Sequence, residues 1–269
     1  ATSGFGTTET LHYMTESMRR AYADRARFIG DPDFNTDMPI DRLISKTYAE
    51  QLRKTIDQNK ASKSDANAIV LPKESPETTH FTVVDKDRNA VSLTYTLEYG
   101  YGSGIVVPGG GFLLNNEMGD FNAGPGLTNA QGLIGTPANL AKPGKRMLSS
   151  MTPTIVAKDG ELFMTVGTPG GRTIINTVMQ IILNVVDHSM NAQAAVDAGR
   201  VHHQWLPDVL RYEKQTFSMD SLNGLMSMGH ELEVRTNQGS AEVIVLNREA
   251  DVLEGGVDRR QPDGGIAGY

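Results

Sequence analysis

The feature that most constrains this chain is an abrupt change of character at Thr78. Residues 61–77 are rich in Lys, Ser, Asp, Asn, Glu and Pro, the composition of an exposed, mobile linker. From His80 to Val84 the chain turns β-branched and aromatic. Asp85-Lys86-Asp87-Arg88-Asn89 reads as a turn, and Ala90 to Leu97 as a second strand. A hairpin therefore begins directly after the linker, with a threonine at the junction. A cut between Glu77 and Thr78 would free an α-amine able to act as general base for the hydroxyl of the same residue, so no histidine is required. Such an amine titrates near about 7.7–8.0, which suits a base at neutral pH. By local pattern alone, the same junction reads as a β-propensity residue opening a strand.

Helical periodicity dominates the region before the linker. Leu11, Met14, Met18 and Ala21 recur at spacings of three and four, with Phe28 returning to the same face. Thr7 or Thr8 can cap the start, Gly30-Asp31-Pro32-Asp33 ends the helix, and Arg25 interrupts its apolar face. A second helix is predicted from Ser45 to about Lys60, with Ala49, Leu52 and Ile56 on one side. Beyond the hairpin, residues 99–111 are Gly-rich, Phe112-Leu113-Leu114 is a short apolar run, and residues 119–147 form a long loop. Loops of that length in a compact domain are usually functional or disordered. Strands are predicted at Thr154–Ala157, Leu162–Val166, Glu231–Arg235 and Ala241–Leu246. Helices are predicted over a broad apolar face from Ile174 to Val185, from Ala192 to Ala198 and from Met219 to Met228. Strands clustered in the last two-thirds with helices flanking them point to an α+β or layered αββα fold.

Composition excludes several classes. The 269 residues are enough for one large domain or two small ones, and 39% hydrophobic with 21% charged residues is ordinary for a soluble globular protein. No apolar run is long enough to span a membrane. A net charge of −7 with no Lys/Arg cluster argues against nucleic acid as a partner. The Arg19-Arg20 and Arg259-Arg260 pairs are read as solvated surface. The absence of cysteine removes disulfides, thiolate metal sites and a Cys nucleophile together. No signal peptide is visible, and the start at Ala1-Thr2-Ser3-Gly4 reads as an interior cut in a longer protein.

Other stretches carry possible chemistry. Thr168-Pro169-Gly170-Gly171-Arg172 joins a predicted strand to a helix, where glycines let backbone amides approach an oxyanion. It lacks the Gly-Lys-Ser/Thr ending of a P-loop, and a plain tight turn is the alternative. Ser149-Ser150 offers paired hydroxyls for a carboxylate, or a turn. Glu98, Glu117 and Asp120 flank Gly-rich loops and can recognise an ammonium group, although each alone reads as solvated. His202-His203 lacks a carboxylate or third His at ligand spacing, so packing is the expected role and no metal or cofactor is called for.

Read together and in order, these segments resemble the γ-glutamyltranspeptidase family, also called glutathione hydrolase. The matching stretches are Thr78-Thr79-His80-Phe81-Thr82-Val83-Val84-Asp85, Leu114-Asn115-Asn116-Glu117-Met118-Gly119-Asp120-Phe121, Leu148-Ser149-Ser150-Met151-Thr152-Pro153-Thr154, Gly167-Thr168-Pro169-Gly170-Gly171 and Gly264-Gly265-Ile266-Ala267-Gly268-Tyr269. Tyr22-Ala23-Asp24-Arg25 and Gly30-Asp31-Pro32-Asp33-Phe34 are also similar. The resemblance covers essentially the whole chain. It implies an Ntn-hydrolase four-layer αββα sandwich, with residues 1–77 as the C-terminal end of a large subunit and 78–269 as a complete small subunit. The two would form a heterodimer after autocatalytic cleavage, in a periplasmic or extracellular setting.

The resemblance also implies roles. Thr78 would be the nucleophile, Thr96 its hydrogen-bond partner on the neighbouring strand, and Gly170 and Gly171 the oxyanion hole. Ser149 and Ser150 would bind the substrate α-carboxylate, and Glu98, Glu117 and Asp120 the α-amino group. Glu98 stands where many members have Asn. Gln131 stands where many bacterial members place a lid tyrosine. The N-terminal part of the large subunit, with the family's carboxylate-binding arginine, is expected upstream. The implied reaction is γ-glutamyl transfer from glutathione or another γ-glutamyl amide to water, an amino acid or a peptide. The alternatives are an acylase acting on glutaryl β-lactams or poly-γ-glutamate, and an inactive, unprocessed fragment.

Overall fold

A computed structural model describes residues 3–65, 78–128, 134–262 and 264–268. The first helix, α1 (Thr8–Phe28), is capped by the Thr7 hydroxyl, which accepts from the Thr10 amide. Two short helices follow, α2 (Ile40–Leu43) and α3 (Lys46–Arg53), the latter capped by Ser45. The predicted helix to Lys60 stops early for a physical reason. Arg20 and His12 of α1 claim the carbonyls of Thr55 and Asp57 at 2.9 and 2.8 Å, and Asp57 makes its own turn with the Asn59 amide.

The hairpin is present as β1 (Thr79–Val84) and β2 (Ala90–Tyr95), two residues shorter at its end than expected. A four-stranded antiparallel sheet has the order β3 (Thr154–Lys158), β4 (Glu161–Gly167), β8 (Glu242–Asn247) and β9 (Val252–Val257). Between β4 and β8 in sequence lie α4 (Thr173–Val186), α5 (Ala192–Asp197), β5 (Val201–His202), β6 (Leu210–Glu213), α6 (Met219–Ser227) and β7 (Leu232–Arg235). The strands β5, β6 and β7 make a third sheet, with β6 and β7 parallel.

The layering follows from which faces are apolar. Met164, Val166, Val243 and Val245 of the large sheet pack on Ile174, Val178, Ile181 and Val185 of α4 and on Ala192 and Ala195 of α5. The other face of that sheet carries the hairpin: Thr82 and Thr165 share a short hydroxyl contact, and Ser92 donates to the Val166 carbonyl at 3.2 Å. Successive residues of β4 are consequently buried on both sides, which explains a near-continuous buried run where a one-sided strand would alternate. Helices, sheet and hairpin supply three layers. The outward face of the hairpin leaves Phe81, Val83, Val91, Leu93 and Tyr95 exposed.

Three expectations are corrected here. Residues 61–65 are not a loose linker: Ala61 is buried and its amide bonds Met228, while the Ser62 and Ser64 amides donate to Glu16 and Asp208 at 3.1 and 2.9 Å. Residues 66–77 lie outside the described residues. Arg19-Arg20 is not solvated surface, because Arg19 is buried against Glu16 and Asp208, and Arg20 pairs with Glu16 at 2.5 Å. Arg259 is exposed as expected, but Arg260 is half-buried and paired with Glu213 and Asp258 at 2.6 and 3.1 Å. Arginine tolerates this because its five donors can be satisfied in a fixed fork.

Asp258 is the hub of that last network. It pairs with the buried Arg200 at 2.7 Å and accepts from the Ala241 and Arg260 amides at 2.9 Å each. Burial opposes ionisation, but Arg200, the Ala241 amide and Arg260 outweigh it and hold the carboxyl below its usual range. Asp258→Asn should destabilise the fold by about 3–5 kcal/mol, because it strands a buried guanidinium. Urea unfolding of the two proteins at neutral pH measures this, and equal midpoints would refute it.

Candidate active site

Thr78 immediately precedes β1. The Thr79–Tyr95 pairing, continued one step, sets Thr78 opposite Thr96. The Thr96 hydroxyl accepts from the Glu98 amide at 2.9 Å, closing a turn in which Glu98 takes a left-handed φ of 74°. That turn lays the Glu98 carboxylate over Gly119, where a Cβ would sit 2.1 Å from Oε1, so a side chain at 119 would displace that carboxylate.

The acidic residues come together through a single turn of 3₁₀-helix. Glu117 and Asp120 open and close it, and residues three apart eclipse in such a helix. The turn is tied to the end of the hairpin by the Asn116 amide on Leu97 and by the Tyr99 amide on Asn116 Oδ1, at 3.0 and 3.1 Å. Glu117 is buried, which overturns its reading as a solvated side chain. Burial first, then the charge and hydrogen bond of Asp120 and the charge of Glu98, push its pKa up to about 7. Glu98 is raised by burial and by Asp120, against a counteracting Gly119 amide. Glu98 and Glu117, crowded together beside Asp120, resist ionisation until a cation arrives to offset them.

This sets a pH dependence. A carboxyl raised to about 7 is protonated below that pH and gains its charge above it. Affinity for an ammonium ligand should therefore rise as pH goes from 6 to 8. Calorimetric titration of L-glutamate across that range should show the step in the wild type and lose it in Glu117→Gln. A step that persists in the variant would show that another group titrates.

Across the cavity, Ser149 and Ser150 end the long loop. Arg25 of α1 donates to Ser150 Oγ at 2.8 Å and to the Ser149 carbonyl at 3.3 Å. The loop is anchored by Arg146, which grips Asp31 at 2.6 Å, and by Asn139, which accepts from the Leu148 amide and donates to Asp120 O. Arg146 holds the Asp31 carboxyl well below its usual range. Arg25 is thus a site residue that the periodicity registered only as a flaw in an apolar face. The charge breaking that face was the available signal.

Gly170 and Gly171 join β4 to α4 with φ of 133° and 56°. The Thr173 hydroxyl donates to Gly170 O and that of Thr168 to Pro169 O, both at 2.7 Å, and Thr168 in turn accepts from the Ser240 amide. The two glycines sit at the positive end of a 14-residue helix, where backbone dipoles favour a developing negative charge. A single cavity of about 970 Å³ is lined by Thr78, Thr96, Glu98, Glu117, Asp120, Ser149, Ser150, Gly170 and Gly171, with Arg25 beside them.

His202 and His203 are packed rather than presented. Both are buried, His202 against Asn176 and Gln204, and His203 against Asp208 and the Trp205 amide. His12, Glu16 and His230 bring ligand-type atoms within 4.8 Å of one another. The two imidazoles already bond each other at 2.8 Å and Glu16 is committed to Arg19, Arg20 and Ser62, which leaves His230 Nδ1 as the buried ring atom without a hydrogen-bond partner. Gln131 lies outside the described residues.

The gamma-glutamyltranspeptidase family model matches residues 1–268. The chain belongs to the gamma-glutamyltranspeptidase family. It is 46% identical over 268 residues to the glutathione hydrolase proenzyme of Escherichia coli K12, covering 99% of this chain and 46% of that protein. It therefore spans about half the length of the curated relatives it matches. A solved mutant of Helicobacter pylori gamma-glutamyltranspeptidase is 46% identical with a TM-score of 0.64, over 68% of this chain and 100% of that one. A cephalosporin acylase from Bacillus halodurans is 27% identical with a TM-score of 0.80, over 99% of this chain and 46% of that one. The fold is accordingly part of the Ntn-hydrolase αββα sandwich. No helix among the described residues is long and apolar enough to cross a membrane.

Proposed function

We propose that this protein is a γ-glutamyltransferase and glutathione hydrolase, matured by cleavage between Glu77 and Thr78 into a heterodimer of residues up to 77 and residues 78–269. Thr78 attacks the γ-carbonyl of glutathione or another γ-glutamyl amide, and its α-amine takes the hydroxyl proton. Amides of Gly170 and Gly171 stabilise the oxyanion, with Thr96 holding the nucleophile. Glu98, Glu117 and Asp120 receive the donor's ammonium, and Ser149 and Ser150 its α-carboxylate, with Arg25 fixing Ser150. Water, an amino acid or a peptide then accepts the acyl group. The compartment implied is periplasmic or extracellular.

One observation carries the reading: an acidic turn, a serine pair and a glycine pair line one cavity together with Thr78 and Thr96. Solved gamma-glutamyltranspeptidase chains from H. pylori and Pseudomonas nitroreducens are covered over their full length by 68% and 71% of this chain, close to the share that residues 78–269 make of it.

The acylase reading has its own support in the B. halodurans structure and in the Acylase ACY 1 proenzyme of Pseudomonas sp., 37% identical over 198 residues. A glutaryl group has no ammonium, so the crowded carboxyls favour the γ-glutamyl donor. Mass spectrometry of the complete protein should find a new N-terminus at Thr78, and γ-glutamyl-p-nitroanilide should turn over faster than a glutaryl β-lactam. A single uncut species, or the reverse preference, would overturn the proposal.

A further inference from the structure

The cavity has a second, basic end. Arg211 on β6 and Arg235 on β7 line it, along with Arg172 and Asn237. The strand register puts His202, Arg211 and Glu233 in one row across the three-stranded sheet, and Arg235 two residues beyond Glu233 on the same face. Glu233 is shared by both guanidiniums, at 3.2 Å from Arg211 and 3.5 Å from Arg235. The next carboxylate on that face, Glu213, is buried and committed to Arg260 and to the Arg200 and Gln238 amides. One carboxylate thus faces two cations. Beneath them, burial holds the His202 ring neutral, and the charges of Arg211, Arg235 and Arg172 push its pKa in the same direction against a Gln204 hydrogen bond. The three guanidiniums line one cavity, and the neutral His202 in the row of Arg211 adds no negative charge.

This end is joined to the glycine pair. A Cβ on Gly170 would lie 3.3 Å from the Gly239 Cα, and Arg235 is four residues upstream of Gly239. Four extended residues span at most about 13 Å, and a dipeptide about 7 Å. Arg235 and the glycine pair line the same cavity.

We propose that Arg211 and Arg235 form a subsite for the carboxylate of the amino acid or peptide on the far side of the scissile amide. The inference rests on the γ-glutamyl reading above. In acylation the bond from Thr78 Oγ to the γ-carbon forms as the C–N bond breaks, and the hydroxyl proton passes through the α-amine to the departing nitrogen. Deacylation by an amine runs the same path backwards, so the acceptor enters where the leaving group left. One subsite therefore reads the carboxylate of both. The cavity then matches its substrate end to end, with ammonium recognition at one end, the oxyanion hole in the middle and carboxylate recognition at the other.

The test uses the complete, processed protein. Hydrolysis of γ-glutamylglycine is compared with γ-glutamylglycinamide, and transfer to glycylglycine with transfer to glycylglycinamide, in the wild type and in Arg235→Gln. The readout is the ratio within each pair, so a general loss of activity cancels. The wild type should favour the carboxylate by about tenfold in both pairs, as charge-assisted recognition of a partly exposed anion allows. The variant should bring both ratios close to one. A wild-type ratio near one, or a ratio that survives in Arg235→Gln, overturns the subsite. A carboxylate preference in hydrolysis alone overturns its sharing with the acceptor. Absence of any γ-glutamyl turnover overturns the parent reading instead. The subsite is then judged by calorimetry with glycylglycine against glycylglycinamide, where equal binding overturns it.

Discussion

Replacing Thr78 with alanine should leave the complete protein as a single uncut chain and lower γ-glutamyl-p-nitroanilide turnover by at least about 10⁴-fold. Both effects come from one atom. The hydroxyl is the nucleophile that would open the Glu77–Thr78 peptide bond and, after cleavage, the nucleophile toward the donor. Among the hydroxyls lining the cavity, only that of Thr78 would gain the α-amine of its own residue as a base. The chain has no cysteine, and Ser150 is held by Arg25. Alanine removes little volume from a half-buried position at the start of a strand, so the thermal midpoint should move by only a few degrees. Denaturing gels, mass spectrometry and initial rates measure all three. Cleavage or turnover surviving in the variant would remove Thr78 from the mechanism.

Gly170→Ala is the second large effect, by a different route. At φ of 133° an L-residue is strained, and its Cβ would meet Thr173 Oγ1 at 2.6 Å and the Gly239 Cα at 3.3 Å. Thr173 cannot simply rotate away, because its hydroxyl bonds Gly170 O. The turn must reopen, which moves the amides aimed at the oxyanion. The expected loss is about 10²–10³-fold in kcat, with a smaller change in KM, as for removal of one oxyanion donor. Gly104→Ala is the control: it has φ of 72° and nothing within 4 Å, so it carries backbone strain without the steric clash. If the two variants lose kcat equally, the glycine pair has no special role.

Some of this architecture was legible in the sequence, and the gaps have physical reasons. The start of α1, the hairpin, and the strand-to-helix passage through Gly170 and Gly171 follow from capping, alternation and apolar periodicity. Three strands carry no such signal. Val201–His202 is too short to show a period, Leu210–Glu213 alternates charges without a turn signal, and Val252–Val257 contains two glycines. The two arginine pairs read as surface because exposure is the default for a charged pair, and only partners distant in sequence reverse it. Asp208 takes Arg19, and Glu213 takes Arg260. The candidate site depended on the order of motifs rather than on any one of them. Arg25 was seen as an irregularity because its purpose lies 125 residues away, at Ser150.

The clamp around α1 has a consequence for what cleavage does. Arg19 and the Ser64 amide hold Asp208, Tyr22 donates to the Arg172 carbonyl, Arg25 reaches Ser150, and Asp31 binds Arg146. All of these contacts cross from residues before the junction to residues after it. A cut at Glu77–Thr78 severs one peptide bond and leaves every one of them intact. The two pieces then behave as a single body that merely has an extra pair of ends. Maturation frees one amine and one carboxylate, and these contacts hold the resulting association equilibrium far toward the paired state, so a matured molecule should stay whole on dilution.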